Sequence, residues 1–177
     1  MINKQPGSAS PPQSSLVRIL GVDPGLNITG YGVIELTTSK PKLIEAGVVR
    51  GKTRGSLEAR LREIHTGIAE VIAALKPNVM ALEQLYSHYE RPRTAILMGH
   101  ARGVIVLAAA LADVPVHHYA ATKVKKLLTG GGHSPKAQMQ HAICREFNLL
   151  KPPEPPDVAD ALAIALCHFY TAKNALL

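Results

Sequence analysis

Short apolar runs separated by turn residues predict three strands in the first third of the chain. The first run, residues 17–23, ends in Asp-Pro-Gly, a common turn sequence. Residues 29–36 and 43–50 contain β-branched side chains and follow after short connections. These connections leave no room for crossover helices, so the three strands are predicted to pair as an antiparallel meander.

A change to helical periodicity follows and begins an alternating series of helices and strands. In residues 56–75 apolar side chains recur on one helix face, and the run VMALE at 79–83 predicts a fourth, central strand. Ser134 and Pro135 are predicted as the N-cap and first residue of a later helix. The fold class is therefore α/β, with a mixed five-stranded sheet of three antiparallel and two parallel strands flanked by helices. The remaining predicted elements are a strand at 114–119 and helices at 94–112, 122–128, 134–148 and 157–173.

Length and composition favour one folded domain. The chain has 177 residues, of which 46% are hydrophobic and 19% charged. Residues 1–15 are rich in Ser, Pro and Gln and are predicted to be a disordered leader, followed by a single domain over 16–173 and a tail over 174–177. No stretch approaches about 18 consecutive apolar residues, so no membrane span is expected. Cys144 and Cys167 lie far apart and outside metal-binding motifs, which favours reduced thiols and a cytoplasmic protein.

The formal net charge of +7 comes from one part of the chain. Residues 91–151 contain nine Lys and Arg but only two acidic residues, Asp113 and Glu146, and the rest of the chain is neutral. A neutral protein with one basic region suggests a polyanionic partner, with nucleic acid favoured over an acidic membrane surface. The basic residues are Arg91, Arg93, Arg102, Lys123, Lys125, Lys126, Lys136, Arg145 and Lys151.

Four acidic residues occupy positions where functional groups collect. Asp23 ends the first strand and Glu83 ends the fourth. Asp157 and Asp160 are three residues apart and share one face at the start of the last helix. Each has a structural alternative, namely a turn, a solvated strand end, or a helix N-cap with a favourable dipole contact. Against these alternatives, Glu83 and Asp160 adjoin apolar segments, where an unpaired carboxylate is unfavourable.

Carboxylates brought together in this way favour a site for hard divalent cations. Three or four of them repel one another unless cations lie between them, and Mg²⁺ or Mn²⁺ is the natural partner for oxygen ligands. Two such ions activate water and stabilise the leaving oxygen of a phosphodiester. Together with the basic region, this predicts a phosphodiesterase acting on nucleic acid. His133 and His141 are not at metal-ligand spacing and are assigned to the surface or to helix packing.

Five segments, in order along the chain, resemble one protein family. The chain is similar from about residue 17 to 169 to the RuvC-type crossover junction endodeoxyribonucleases, the bacterial Holliday-junction resolvases of the RNase H-like superfamily. The opening Asp-Pro-Gly pattern alone is shared with other proteins, but the five segments together are specific. They are ILGVDPGLNITGYGVIE, ALEQLY, HARGV, HYAATKVKKLLTGGGHSPKAQMQH and DVADALAIALCH.

The resemblance implies an RNase H-like fold and gives the four acids a role. Asp23, Glu83, Asp157 and Asp160 match the family's catalytic and metal-binding positions, where they hold two Mg²⁺ ions, for which Mn²⁺ can substitute. In that scheme one ion orients a water for attack on the scissile phosphate and the 3′ oxygen leaves. Two symmetric cuts then give ligatable nicks with 5′-phosphate and 3′-hydroxyl ends, in homologous recombination and DNA repair. The resemblance also implies a four-way junction as substrate, a homodimer, and the branch-migration partners RuvA and RuvB.

Basic and aromatic residues are predicted to contact the DNA. The alternative for the lysines is a solvated helix face, and their place in the only net-positive stretch favours DNA. Tyr86 aligns with a family aromatic that stacks on an unpaired base, with a core anchor as the alternative. The loop that carries Arg91 and Arg93 departs from the family pattern, which leaves the cleavage-sequence preference open. The predicted DNA-binding residues are Tyr86, Arg91, Arg93, Lys123, Lys125, Lys126 and Lys136.

Two further interpretations remain open. An actin-like nucleotide phosphotransferase shares the opening strand and turn, but it needs a second glycine-rich phosphate loop. A non-catalytic nucleic-acid-binding module is the other, and the complete set of four acids counts against it. The apolar second half of helix 94–112 is either buried inside the monomer or the face of a two-fold dimer, which suits two symmetric cuts.

Overall fold

The computed structural model describes residues 17–37, 40–51, 55–85 and 92–174, and it confirms the predicted order of elements. The predicted leader and most of the predicted tail lie outside the described residues, so these domain boundaries stay predictions. The strands are β1 (Arg18–Asp23), β2 (Ile28–Leu36), β3 (Pro41–Arg50), β4 (Val79–Glu83) and β5 (Val116–Tyr119). The helices are α1 (Leu57–Leu75), α2 (Pro92–Leu111), α3 (Ala121–Thr129), α4 (Lys136–Phe147) and α5 (Pro156–Asn174).

The strands form one mixed sheet in the order β3-β2-β1-β4-β5. β1 pairs with β2 and β2 with β3 in antiparallel fashion, as their short connections require. The β1–β4 and β4–β5 pairs are parallel, and helices form the connections. The predicted fold class is confirmed, and β4 lies inside the sheet between β1 and β5.

Glycines on β1 and β2 allow α5 to lie directly against one face of the sheet. A Cβ at Gly21 would overlap the carbonyl oxygen of Ala161, and a Cβ at Gly30 would overlap that of Asp157. Every residue of the α5 segment 161–167 is buried in the core that results. Because protein interiors are close-packed, these backbone contacts fix the place of the first turn of α5.

The opposite face of the sheet is covered by α1 and α2, but α2 is covered on only one side. The side of α2 that faces the core buries Ala101, Ile105, Ala108 and Ala109. Its other side leaves large apolar residues in solvent, although the whole helix is apolar in sequence. These residues are Ile96, Leu107 and Leu111, which are 62%, 49% and 70% exposed.

By length and composition alone, α2 is apolar enough to cross a membrane, and it is the one such helix among the described residues. Only 22% of its most apolar window is buried. Core helices of soluble proteins also meet this criterion, so a single helix of this kind is weak evidence. The expected absence of a membrane span stays a prediction.

The predicted start of α4 is wrong in detail. The helix begins at Lys136, so Pro135 occupies the N-cap position instead of the first helical position, and no side chain caps the helix. Ser134 lies one residue before the N-cap, and its hydroxyl donates to the carbonyl oxygen of Gly131 at 2.9 Å. The hydroxyl of Thr129 also donates to Ser134 Oγ at 2.7 Å. Both hydroxyls therefore stabilise the turn at Gly130, Gly131 and Gly132, the glycine turn, which precedes α4.

Candidate active site

Two of the predicted acids lie side by side at the carboxyl ends of neighbouring strands. Asp23 is the last residue of β1 and Glu83 the last residue of β4. The strands are parallel and Val22 pairs with Leu82, so the next residue on each strand reaches the same edge. Successive side chains alternate between sheet faces, and the shared register therefore places both carboxylates on one face.

The other two acids reach this edge through the packing of α5. Asp157 and Asp160 lie in the first turns of that helix. Gly30 is paired with Asp23 across β1 and β2, and the absence of a side chain there lets the Asp157 backbone approach it closely. The structure therefore brings all four predicted acids to one place. The glycine at position 30 of β2 makes this possible, because it has no side chain to keep α5 away.

Burial and the charges of neighbouring acids raise the pKa values of two of the four carboxyl groups. Burial, followed by the charges of Glu83, Asp160 and Asp157, raises the pKa of Asp23 to about 8, and Lys136 opposes this. The pKa of Glu83 is also raised, chiefly by burial and then by Asp160. In both cases the ionised form is disfavoured, as expected for like charges held together out of water.

Two lysines partly offset this negative charge. Lys136 Nζ lies 3.5 Å from Asp160 Oδ2, although 74% of the lysine side chain is exposed. Lys125 and Lys136 both lower the pKa of Glu83. Two of the predicted DNA-binding lysines are therefore placed beside the acids, where a phosphate group would also meet them.

The donor set fits a hard divalent cation. Asp23, Glu83, Asp157 and Asp160 supply only carboxylate oxygens, which Mg²⁺ and Mn²⁺ prefer. Their mutual repulsion is the condition that a bound cation would relieve. Within the described ranges no three His, Cys, Asp or Glu residues are already arranged to ligate one ion. The same finding covers the four acids, which could hold a metal ion only after their side chains move closer together.

A cleft of about 660 Å³ opens beside Asp23 and Glu83. Its wall includes Met98 of α2, Thr122 of α3 and His133 of the glycine turn. His133 is exposed, as predicted, but it also lines the cleft, which the sequence interpretation missed. The only sequence signal was its place just before Lys136, because the turn that carries it is defined by tertiary hydrogen bonds.

The other predicted DNA-binding residues are placed differently. Tyr86 and Arg91 lie outside the described residues, so their assignments stay predictions. Arg93 is exposed in the first turn of α2, and Lys126 is exposed on α3. Lys123 Nζ lies 5.1 Å from the centre of the Tyr119 ring, a cation–π contact.

Sequence reasoning assigned no individual role to Arg102. Its Nε donates to the carbonyl oxygen of Glu83 at 3.2 Å, and its Nη2 lies 2.7 Å from Nδ1 of His118. The sequence showed Arg102 only as one of nine basic residues in residues 91–151. Its contact with the end of β4 depends on how α2 packs against the rest of the fold, which the periodicity of the sequence does not reveal.

Comparison with known proteins gives consistent matches over nearly the whole described chain. Residues 19–168 match the family model described as crossover junction endodeoxyribonuclease RuvC. A protein of that name from Rhodopirellula baltica is 56% identical over 174 residues, which cover 98% of this chain and 94% of the relative. One from Idiomarina loihiensis is 40% identical over 160 residues, or 88% of this chain and 89% of the relative.

Solved structures agree with the sequence matches. The structure described as T. thermophilus RuvC in complex with Holliday junction substrate is similar with a TM-score of 0.83 and 31% identity, over 90% of this chain and 96% of that chain. The yeast mitochondrial Holliday junction resolvase Ydc2 has a TM-score of 0.60 at 12% identity, over 91% of this chain and 86% of its own. The second similarity concerns the fold alone.

Proposed function

The chain belongs to the RuvC family of crossover junction endodeoxyribonucleases, and we propose that it resolves four-way DNA junctions by hydrolysing one phosphodiester on each of two strands. The observation that carries this proposal is the meeting of four carboxylates at one sheet edge beside two lysines. A binding module without catalysis has no use for four carboxylates held together, with the pKa values of Asp23 and Glu83 raised by burial and by neighbouring acids. The T. thermophilus relative, described with a Holliday junction substrate, supports the same substrate here.

We propose that Asp23, Glu83, Asp157 and Asp160 hold two Mg²⁺ ions, for which Mn²⁺ can substitute. Bound there, the ions would supply a lowered pKa for the attacking water and stabilisation of charge on the phosphate. The family resemblance makes Asp23 the central ligand in this scheme, and the charges of the other three acids add to burial in raising its pKa.

The residues of the chain then orient the DNA for in-line hydrolysis. Lys125 and Lys136 contact phosphate oxygens next to the acids, and free N–H groups at the start of α4 add to the pull on the phosphate. The water oxygen bonds to phosphorus and the P–O3′ bond breaks. A proton released by the water is taken up by O3′, so the products are a 3′-hydroxyl and a 5′-phosphate. The nick is ligatable, as recombination and repair require.

We also propose that the protein acts as a homodimer through the exposed side of α2. Ile96, Leu107 and Leu111 lie on one side of the helix with Gly99 and Gly103 between them. A Cβ at either glycine would meet nothing within 4 Å, so a second helix has room to approach closely. A two-fold axis through this helix face would present two sites symmetrically to a four-way junction.

Four further assignments rest on the sequence, two of them through its family resemblance. RuvA and RuvB are the proposed branch-migration partners, and the proposed location is cytoplasmic. Tyr86 is proposed to stack on an unpaired base at the junction centre, and Arg91 and Arg93 to contact the DNA backbone near it.

One assay tests this function against the two alternatives. The protein is incubated with synthetic four-way junctions and with linear duplexes, in Mg²⁺ and in EDTA, beside an Asp23→Asn variant. We expect paired symmetric nicks on the junction alone, only with metal and only in the wild type. Metal-independent binding without cleavage in any metal would instead indicate the binding module, and ATP turnover would indicate the phosphotransferase.

A further inference from the structure

Arg102 joins α2 to the carboxyl ends of β4 and β5 through two nitrogen atoms of its guanidinium group. Nε donates to the backbone carbonyl oxygen of Glu83, and Nη2 contacts Nδ1 of His118 in β5. Arg102 is half-buried, while His118 is exposed. A guanidinium held at two points has little freedom to turn, and its planar group is well suited to such paired contacts.

The direction of the contact with His118 follows from the chemistry of the two groups. A guanidinium only donates hydrogen bonds, so Nδ1 of His118 accepts and the imidazole is neutral in this pair. Burial, then the charge of Arg102 and then His117, lower the pKa of His118. His118 therefore acts as a neutral acceptor that holds the outer end of the guanidinium.

The backbone at Glu83 is held from two directions. The N–H of Gln84 donates to the carbonyl oxygen of Tyr119 at 2.8 Å, which ties this strand end to β5. Arg102 ties the adjacent carbonyl of Glu83 to α2. A reacting group displaced by about 1 Å loses up to about 100-fold in rate, so a strand end that carries such a group benefits from being fixed.

We propose that Arg102 is a positioning residue, which fixes the end of β4 so that the Glu83 carboxylate faces the other three acids, with neutral His118 as its support. The proposal rests on the proposed function of this site. Arg102 contacts the backbone of Glu83 and not its carboxylate, so it acts through that residue. It also lies on α2, so the helix with the proposed dimer face is linked directly to the site.

The test compares variants that break either contact with variants that retain it. Arg102→Gln removes the charge and the fork, and His118→Lys replaces the acceptor with a cation. His118→Gln keeps a neutral side chain with an acceptor oxygen and is the conservative variant. Arg145→Gln, on the exposed side of α4 within the same basic stretch, is the matched control for loss of one positive charge.

Three measurements are made on each full-length variant. Mn²⁺ binding to the DNA-free protein is followed by electron paramagnetic resonance, and junction binding is measured in EDTA. Junction cleavage is then measured over a range of Mg²⁺ concentrations, and thermal unfolding confirms that each variant is folded. If the wild type fails to cleave junctions, the proposed function fails, while the Mn²⁺ titration still tests the role of Arg102.

We expect Arg102→Gln and His118→Lys to raise the half-saturating Mn²⁺ and Mg²⁺ concentrations by about tenfold, as loss of a group that orients a metal ligand does. The double variant Arg102→Gln/His118→Lys should bind Mn²⁺ no more weakly than Arg102→Gln alone, because both changes break the same contact. Junction binding in EDTA should stay within about twofold of that of Arg145→Gln. His118→Gln should bind Mn²⁺ like the wild type, because it keeps the acceptor. Unchanged Mn²⁺ binding in Arg102→Gln, or a loss of junction binding in EDTA larger than that of Arg145→Gln, would overturn the proposal.

Discussion

α2 and α5 are two apolar helices that lie on opposite faces of one sheet, and the structure treats them differently. The α5 segment 161–167 is fully buried because glycines on the sheet allow close approach. On α2 the core-facing side is buried, while Leu107 and Leu111 stay 49% and 70% exposed. The buried helix places acids with high precision, and the half-covered helix leaves an apolar surface for a partner.

The difference shows that the surface on which a helix packs, and not the composition of the helix, decides how much of the helix is buried. Gly21 and Gly30 provide a smooth surface for α5. α2 instead rests on α1 and contributes mainly alanines to the core. Exposed apolar patches of this kind usually mark an interaction site. Substitutions confined to one of the two helices separate its role from that of the other.

The largest expected effect comes from separating α5 from the sheet. In Gly30→Ala the new Cβ overlaps the carbonyl of Asp157, so the first turn of α5 must move. We expect destabilisation by about 1–3 kcal/mol, typical of overpacking. Junction cleavage should fall by about 100-fold, because the acids lose their alignment.

The control for this change is Ala73→Ser, which adds one heavy atom at an exposed position on α1. This variant should unfold and cleave like the wild type, since substitutions at exposed positions usually change stability by less than about 0.5 kcal/mol. A Gly30→Ala protein that unfolds and cleaves like the wild type would show that α5 is not held by close backbone contact.

The second expected effect is loss of the dimer when charge is placed on the exposed side of α2. Leu107→Glu combined with Leu111→Glu should give a monomer by light scattering. Both side chains are exposed in the monomer, so the change in unfolding temperature of the monomer should be small. The control is Leu150→Glu, which is fully exposed outside α2. A double variant that stays dimeric would place the interface elsewhere.

The third effect concerns the basic residues beside the acids. Lys125→Ala should weaken junction binding most at low salt and make the slope of log K against log salt shallower by about one. Lys42→Ala, on the exposed surface of β3, removes the same charge far from the site and is the control. Equal slopes for both variants and the wild type would remove Lys125 from the DNA surface.

The smallest effect is a pH dependence in the anchoring of α5. His168 Nδ1 lies 2.8 Å from the Tyr119 hydroxyl, and burial followed by His117 lowers the pKa of His168. Because the unfolded chain then takes up a proton more readily, stability should fall as the pH drops below about 6.5 towards the lowered folded pKa. His168→Gln should reduce this fall in thermal unfolding scans between pH 7 and pH 5. If the unfolding temperature of His168→Gln falls with pH as much as that of the wild type, His168 is not the group responsible for the pH dependence.

Periodicity and turn residues were sufficient to predict the order of elements and the sheet type. The acids at two strand ends and at the start of the last helix, together with the family resemblance, predicted which four carboxylates the structure brings together around Asp23. Other features depend on tertiary packing that local patterns do not carry. Ser134 caps no helix because α4 begins two residues later. His133 reaches the site through the glycine turn, and Arg102 reaches it through the packing of α2.

The central claim is that four like charges are held together for bound cations, so one uncharged substitution should separate stability from function. Thermal unfolding of Asp23→Asn and wild type is compared in EDTA and in Mg²⁺ at about pH 8.5, above the raised pKa of Asp23. Asp113→Asn, at an exposed position with φ 54°, is the matched control.

We expect Asp23→Asn to unfold at a higher temperature than the wild type in EDTA, since it removes a buried repelling charge. Each kcal/mol gained raises the midpoint by about 2–4 °C. Mg²⁺ should stabilise the wild type and the Asp113→Asn control, but not Asp23→Asn, which should also fail to cleave junctions. If Asp23→Asn matches the wild type in both unfolding temperature and response to Mg²⁺, the carboxylates do not form a shared cation site and the account is contradicted.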